Sequence, residues 1–553
     1  MIKSWEEVRL EFEKILTDNP NTTEELENLF LRRSKLLAMI DEDLAWRYIN
    51  MTRYTQNTEY VKNYNDFIEN IQPNVILFTQ QLNKKLIKHS KINYLEKKYY
   101  TAIRKIRKEV ELFNEKNIPL ITKEDKLSQE FAQITGVMTI RCEGKELTLQ
   151  QASRYLYDYK RSKRKKIYNK IANRRLKDYK TLNKLLDHLI QIRTEIAKNT
   201  GFKNYRDYKH IALGRFDYKI EDVLRLNQSI SEVAVPIMEQ ILEIRKKKLK
   251  IKELKPWDLE VDIDKGAPLE PFKNAQEFIV KTIKTLASVR PKYGEYFQTM
   301  ADKGFLDLET RKGKAPGGYN YPLLVSNIPF IFMNAAGTIN DVHTIVHEAG
   351  HAIHSFLSSH LQIIEQKELP SEIAELASMS MELISMEHWH HFFPDKEQLK
   401  RAKRYQIENI LRVLPWISLI DSFQQWLYTY YQHNTIERYS HWLGLLKKYF
   451  GNIIDWTEIE WYAANLWQKQ LHIFEVPFYY IEYAIAQLGA IAIWKNYKEN
   501  PKLTLDQYEQ ALALGYSKPI PEIYKTAGIE FNFSKDYIKE LISFVWNEYK
   551  ALV

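Results

Sequence analysis

The chain has 553 residues, 44% of them hydrophobic, with 81 basic and 71 acidic side chains and a net charge of +10. That length permits roughly two to four domains and a sizeable core, and the single cysteine, Cys142, excludes an internal disulfide and suits a reducing compartment. No apolar run reaches the ~18 residues of a membrane span, and the charged amphipathic stretch Met1–Ile15 is not patterned as a signal peptide, so the expected address is the cytoplasm.

With 17 Gly and 18 Pro and long segments of period near 3.6, the chain reads as mainly α. Residues 1 to about 110 form an N-terminal helical lobe, with a turn at Asn19-Pro20-Asn21, and 111–553 form the second region. Gly136–Leu147, with β-branched residues and a Glu-Gly turn, predicts a short hairpin. Helices resume at Thr148, are punctuated at Gly201-Phe202 and Gly214-Arg215-Phe216, and run on from about Ile220 to Leu254. The clusters Lys160–Lys166 and Arg245–Lys250 read as solvated helix faces, so no nucleic-acid partner is expected. An irregular stretch spans Lys255 to Pro271. A helix follows from Asn274, with Pro291 beyond its end. Lys312–Gly318 is a loop, and Tyr319–Val325 and Pro329–Asn334 are short β-type runs. An edge strand here can hold an extended peptide by backbone hydrogen bonds.

The small sheet leads into Thr338–His360, which reads as one amphipathic helix capped by Thr338 and Asp341 after Gly337. It carries His343, His347, His351, His354 and His360. Only His347 and His351 bracket a carboxylate, Glu348. Two His four apart project from one helix face and can share a tetrahedral metal, while Glu348 can reach a water on that metal without being a ligand. The pair His343/His347 would put Thr344 at the base's place. An HExxHxxGxxH site is excluded, because His354 and Leu357 stand where its Gly and last His belong. Gly350 leaves room for another segment or a substrate to come close.

A catalytic zinc takes three protein ligands and keeps one position open. Downstream of Pro370-Ser371, a helix start, lie Glu372, Glu375 and Glu382. Glu375 and Glu382 fall on nearly one side of a helix, two turns apart. One can bind the metal while the other buttresses a ligand His; the spacing leaves open which does which.

Three segments together resemble the thimet oligopeptidase and oligoendopeptidase F metallopeptidases, nearer the oligoendopeptidase F branch. His347-Glu348-Ala349-Gly350-His351-Ala352-Ile353-His354 is similar to that family's HExGHxxH helix. Ile373–Ser378 is similar to its second helix, in which the acid matching Glu375 is the third ligand. His472–Tyr483 resembles its C-terminal His/Tyr segment. The Pro-Phe-Tyr-Tyr sequence departs from the Gly-rich version of thimet oligopeptidase and leaves open which of Tyr479, Tyr480 and Tyr483 does which job. The resemblance implies a helical ellipsoid with a deep central channel, and one Zn²⁺ per chain on His347, His351 and Glu375. It also implies short unstructured oligopeptides as substrates and cleavage of their internal bonds. Glu348 is then the general base. His472 with Tyr480 or Tyr483 supplies donors to an oxyanion, each worth about 3 kcal/mol, and Glu382 or Asp341 orients a ligand His. The alternatives are a zinc carboxypeptidase with a similar helical shell and a non-catalytic peptide-binding helical protein.

Overall fold

The computed structural model describes residues 2–264, Gly266 and residues 268–553. Lys265 and Ala267, inside the stretch read as irregular, lie outside the described residues. The protein is mainly α, as its scarcity of Gly and Pro predicts.

The first long helix, α1 (Thr23–Arg53), starts at a reciprocal cap. Thr22 Oγ1 accepts from the Glu25 N–H at 3.1 Å, and the Glu25 carboxylate accepts from the Thr22 N–H at 3.2 Å. Its apolar stripe, Leu26, Leu29, Phe30 and Ile40, packs with Phe12, Phe67, Leu82 and Leu86 in a core of N-terminal helices. Ile363, far along the chain, closes that core. Beside it the buried Arg33 pairs with the buried Glu365 at 2.7 Å. The N-terminal helices are thus fastened to the later chain by an apolar plug and a water-excluded ion pair.

The predicted hairpin is β1 (Thr139–Cys142) against β2 (Lys145–Thr148). Glu143 and Gly144 both take positive φ, 52° and 78°, the backbone a two-residue turn demands. A 30-residue helix, α2 (Ile220–Leu249), follows. Pro291 opens a further helix, Pro291–Asp302, where its missing N–H costs nothing.

The second sheet has the order β3 (Leu306–Glu309), β5 (Phe330–Ala335), β4 (Tyr319–Tyr321). β4 pairs antiparallel with the central β5, as the two β-type runs predict, though it ends at Tyr321 and not at Val325. The parallel strand β3 carries no clear sequence signal. The Asp307 carboxylate in β3 accepts from Arg53, Arg311 and Lys314, which ties the end of α1 to the sheet.

Four helices position the site: α3 (Ile339–Leu357), α4 (Ser371–Met386), α5 (Lys396–Thr429) and α6 (Ile481–Glu499). α4 lies between α3 and α6, and glycine lets it come close on both sides. A Cβ on Gly350 of α3 would stand 2.6 Å from Ser378 Cα and 2.7 Å from Ala377 O. One on Gly489 of α6 would stand 2.6 Å from Leu376 Cδ1. Ile345, Val346, Ile373, Leu376, Ile485 and Leu488 fill the seams. Among the described residues, no helix is long and apolar enough to cross a membrane.

Candidate metal centre

The centre is built on α3 and α4. Positive φ at Gly337 turns the chain out of β5. The Asp341 carboxylate then accepts from the backbone N–H groups of Thr338 at 2.7 Å and Ala336 at 3.0 Å, fixing the start of α3. Asp341 is therefore spent on the cap, and of the two acids that sequence offered for orienting a ligand His the structure selects Glu382. His347 and His351 project from one face two turns on, with ring centroids 4.9 Å apart.

The missing side chain at Gly350 brings α4 within backbone contact of α3, and this puts Glu375 opposite both rings. Glu375 Oε2 lies 3.3 Å from His347 Nε2 and 3.7 Å from His351 Nε2, and one ligand atom from each residue lies within 4.8 Å of the others. Donors about 2.1 Å from one tetrahedral ion stand about 3.4 Å apart, and Glu375 Oε2 sits close to that spacing from both imidazole Nε2 atoms. Ser378 Oγ donates to Glu375 Oε2 at 2.9 Å and holds the carboxylate. Glu382, two turns further along α4, meets His347 Nδ1 at 2.7 Å, which turns Nε2 toward Glu375. Gln406 on α5 donates to the other Glu382 oxygen at 2.7 Å. A ligand His held through its far nitrogen by a carboxylate is the usual support of a zinc site.

Charge in this cleft is sharply divided. Burial opposes ionisation of Glu375, but the adjacent His351 and His347 hold it down to about 2. Burial likewise opposes charge on His347, yet its hydrogen bonds to Glu375 and Glu382 raise it well above the ordinary value. His351, buried without such a bond, drops to about 4. The carboxylates of Glu375 and Glu382, gathered around the two imidazoles, make a cleft that favours a cation, and they are what holds a proton on His347. Glu348 is 8% exposed, and burial lifts its carboxyl to about 7, within the range of an effective general base. Its backbone carbonyl accepts from Asn320 of the edge strand β4 at 3.2 Å.

The helix ends at Leu357 and not at His360 as the sequence suggests, and the remaining histidines of this stretch are placed elsewhere. His343 stacks on Trp389 at 5.2 Å, His354 is buried, and His360 is exposed.

The His/Tyr segment forms an aromatic group leading into the first turn of α6. The His472 ring lies 4.3 Å from Tyr480 and 6.2 Å from both Tyr479 and Tyr483. Gln470 Nε2 donates to His472 Nδ1 at 2.6 Å, and burial drops the ring to about 4. His472 is thus neutral with its proton on Nε2, a donor. Burial and the charge of Glu375 raise Tyr479 and Tyr483, so both keep their phenolic protons. Tyr480 is raised to about 12 by burial and faces Gln470, with no comparable influence from Glu375.

Arg215 and Phe478 fix this segment, and sequence gave neither a role. Phe478 is a buried non-glycine residue at φ 67°. Its N–H donates to Gln424 Oε1 at 2.9 Å, and its carbonyl accepts from Arg215. Arg215 also reaches Glu482 Oε1 at 2.7 Å, next to Tyr483. The Gly214-Arg215-Phe216 break was visible in the sequence; its partner, more than 260 residues away, was not. Burial and the neighbouring Glu372 push Glu482 up to about 8 against the pull of Arg215.

Residues 154–542 match the model of peptidase family M3, and residues 2–113 match that of the M3 N-terminal domain. The chain belongs to peptidase family M3. An inhibitor-bound PZ peptidase A superposes on this M3 chain with a TM-score of 0.92 and 26% identity, over 99% of this chain and 98% of that one. Oligopeptidase PepF of Bacillus subtilis is 24% identical over 361 residues, 64% of this chain and 52% of that protein. An oligoendopeptidase F homolog of Borreliella burgdorferi is 25% identical over 69% of this chain and 62% of its own length. The M3 chain thus spans between half and two thirds of the curated relatives it matches.

Proposed function

We propose that this M3 chain is a zinc-dependent endopeptidase that cleaves internal bonds of short, unstructured peptides in the cytoplasm. The observation that carries the reading is the convergence of His347, His351 and Glu375 on one point, with an ionisable, buried Glu348 beside them. Zinc bound there supplies Lewis acidity, polarising the scissile carbonyl and acidifying the attacking water.

The protein's own groups do the rest. Glu348 takes a proton from the attacking water and later delivers it to the leaving amine. His472 Nε2–H and the Tyr483 phenol, both neutral donors, stabilise the oxyanion, and Tyr480 packs its ring against His472. Glu382, held by Gln406, keeps His347 in its ligating orientation. β4 is the edge of its sheet and stands over Glu348 through Asn320, so an extended peptide can add to it by backbone hydrogen bonds. The names of the M3 relatives, oligopeptidase and oligoendopeptidase, support a peptide substrate.

Glu348→Gln is the direct test. The variant should bind zinc as the unsubstituted chain does and hydrolyse a quenched peptide not at all; full activity would remove Glu348 as the base. Mass spectrometry of products should show internal cuts, and stepwise loss from the C-terminus would instead establish a carboxypeptidase.

A further inference from the structure

Beside the candidate metal centre, on the His351 side, is a cavity of about 330 Å³. That places it at the small end of the ~300–1,000 Å³ of ligand pockets. Its wall includes Asn320 and Tyr321 of the edge strand, His351, Ala374 next to Glu375, and Asp41 from α1. A peptide lying along β4 with its scissile bond at the metal would therefore turn a neighbouring side chain into this space.

Asp41 is one of three consecutive acids, and its neighbours have structural work. Glu42 accepts from the Ser326 N–H at 2.9 Å and from the Val325 N–H, holding the loop after β4. Asp43 accepts from Arg47 at 2.7 Å and from the Ile2 N–H at 2.8 Å. Asp41 has no hydrogen bond and no ion pair among the described residues. The other charges on the wall are engaged: Lys367 donates to Asn327 Oδ1 at 3.1 Å, and Glu368 pairs with Lys105. Burial keeps His354 neutral, down to about 3. Asp41 is thus the one acid on the wall without a hydrogen bond or ion pair among the described residues, while the Lys367 ammonium is held by the neutral oxygens of Asn327 and Leu324. Burial, with the charges of Glu368 and Glu42, raises Asp41 to about 6, so it is ionised at neutral pH and lacks the partner that would stabilise it.

We propose that Asp41 is a specificity residue, and that this cavity receives an arginine or lysine side chain of the substrate close to the scissile bond. The inference rests on the peptidase reading and adds to it a substrate class, peptides with a basic residue at one fixed position. It also gives the N-terminal helices a part in the site.

Peptide binding tests it without turnover. The zinc-loaded Glu348→Gln chain is titrated with a neutral heptapeptide and with its single-arginine scan. Arginine at one position should tighten binding roughly tenfold or more, the scale of a close charge pair. Asp41→Asn in the same background should return that peptide to within about twofold of the neutral one and leave the neutral one unchanged. Asp41 has no partner to lose, so the variant should melt no lower than its parent. A flat scan, or a preference that survives Asp41→Asn, overturns the proposal. Equal weakening of every peptide overturns it too, because it makes Asp41 structural. Cleavage of the neutral peptide by the unsubstituted chain reports on the peptidase reading separately.

Discussion

Gly350→Ala asks whether the contact between α3 and α4 sets the metal site. The added Cβ would stand 2.6 Å from Ser378 Cα, 2.7 Å from Ala377 O and 3.0 Å from Ser378 N. All three are backbone atoms of α4, so no side-chain rotation relieves the clash. Reaching ordinary contact at 3.4 Å requires α4 to withdraw by about 0.8 Å. Glu375 lies less than one turn from Ser378 and moves with it. A zinc site tolerates ligand errors of about 0.2 Å, so the shift is several times what the centre can absorb. Stability changes less. Overpacking costs about 1–3 kcal/mol, and alanine regains ~1 kcal/mol of helix propensity over glycine. The expected variant is folded, melts within a few degrees of its parent without metal, and binds zinc at least tenfold more weakly in a chelator competition. Its peptidase rate falls by roughly 100-fold, as for a ~1 Å misplacement. Zinc affinity equal to the parent's would refute the claim that this contact sets the ligand geometry.

Other consequences concern the groups around the centre. Glu382→Gln replaces the carboxylate that holds His347 and should weaken zinc binding by roughly 10–100-fold with an unchanged far-UV spectrum; unchanged affinity would leave Glu382 without its proposed role. Tyr483→Phe should lower kcat by roughly 100-fold or more with little change in KM, and Tyr480→Phe should cost less, because Tyr480 bonds to Gln470 while Tyr483 feels the charge of Glu375; steady-state kinetics on one peptide ranks them, and the reverse order would exchange their roles. Arg215→Met leaves two buried carboxyls without their cation and should cost roughly 3–5 kcal/mol near neutral pH in urea denaturation. With Glu482 raised to about 8 in the folded chain, the folded state binds more protons than the unfolded one between about 4.5 and 8. Stability should therefore fall as pH rises through that window, and in the variant, where the lost Arg215 no longer pulls the Glu482 carboxyl down, the fall should continue to higher pH; a deficit that does not grow above about pH 8 would contradict this placement of charge.

How much of this the sequence held depends on the range of each interaction. The helices, the Glu143-Gly144 hairpin, the Thr338/Asp341 start of α3 and the His347/His351 pair follow from patterns a few residues long, and the structure shows all of them. Glu375 and Glu382 were readable as sharing a face of α4. Their different contacts were not, because these depend on how close α3 comes, and that distance is set by Gly350 against Ser378. Strand β3 is four residues whose partner lies across a long connection, so it leaves no local trace. The Arg215–Glu482 bond, the Gln406–Glu382 bond and the placement of Asp41 on the wall of the cavity that His351 also lines join distant parts of the chain. Sequence showed Asp341 and Glu382 as equal candidates for orienting a histidine; backbone N–H groups at a helix start claimed the first.

Zinc content is the most direct measurement of the central claim. The chain is stripped with chelator, reloaded, desalted and assayed for metal and for hydrolysis of a quenched peptide. One zinc per chain is expected, with activity restored in proportion and both lost in Glu375→Gln and in His351→Ala. Full activity in the stripped chain, or a full complement of zinc in either variant, would contradict it.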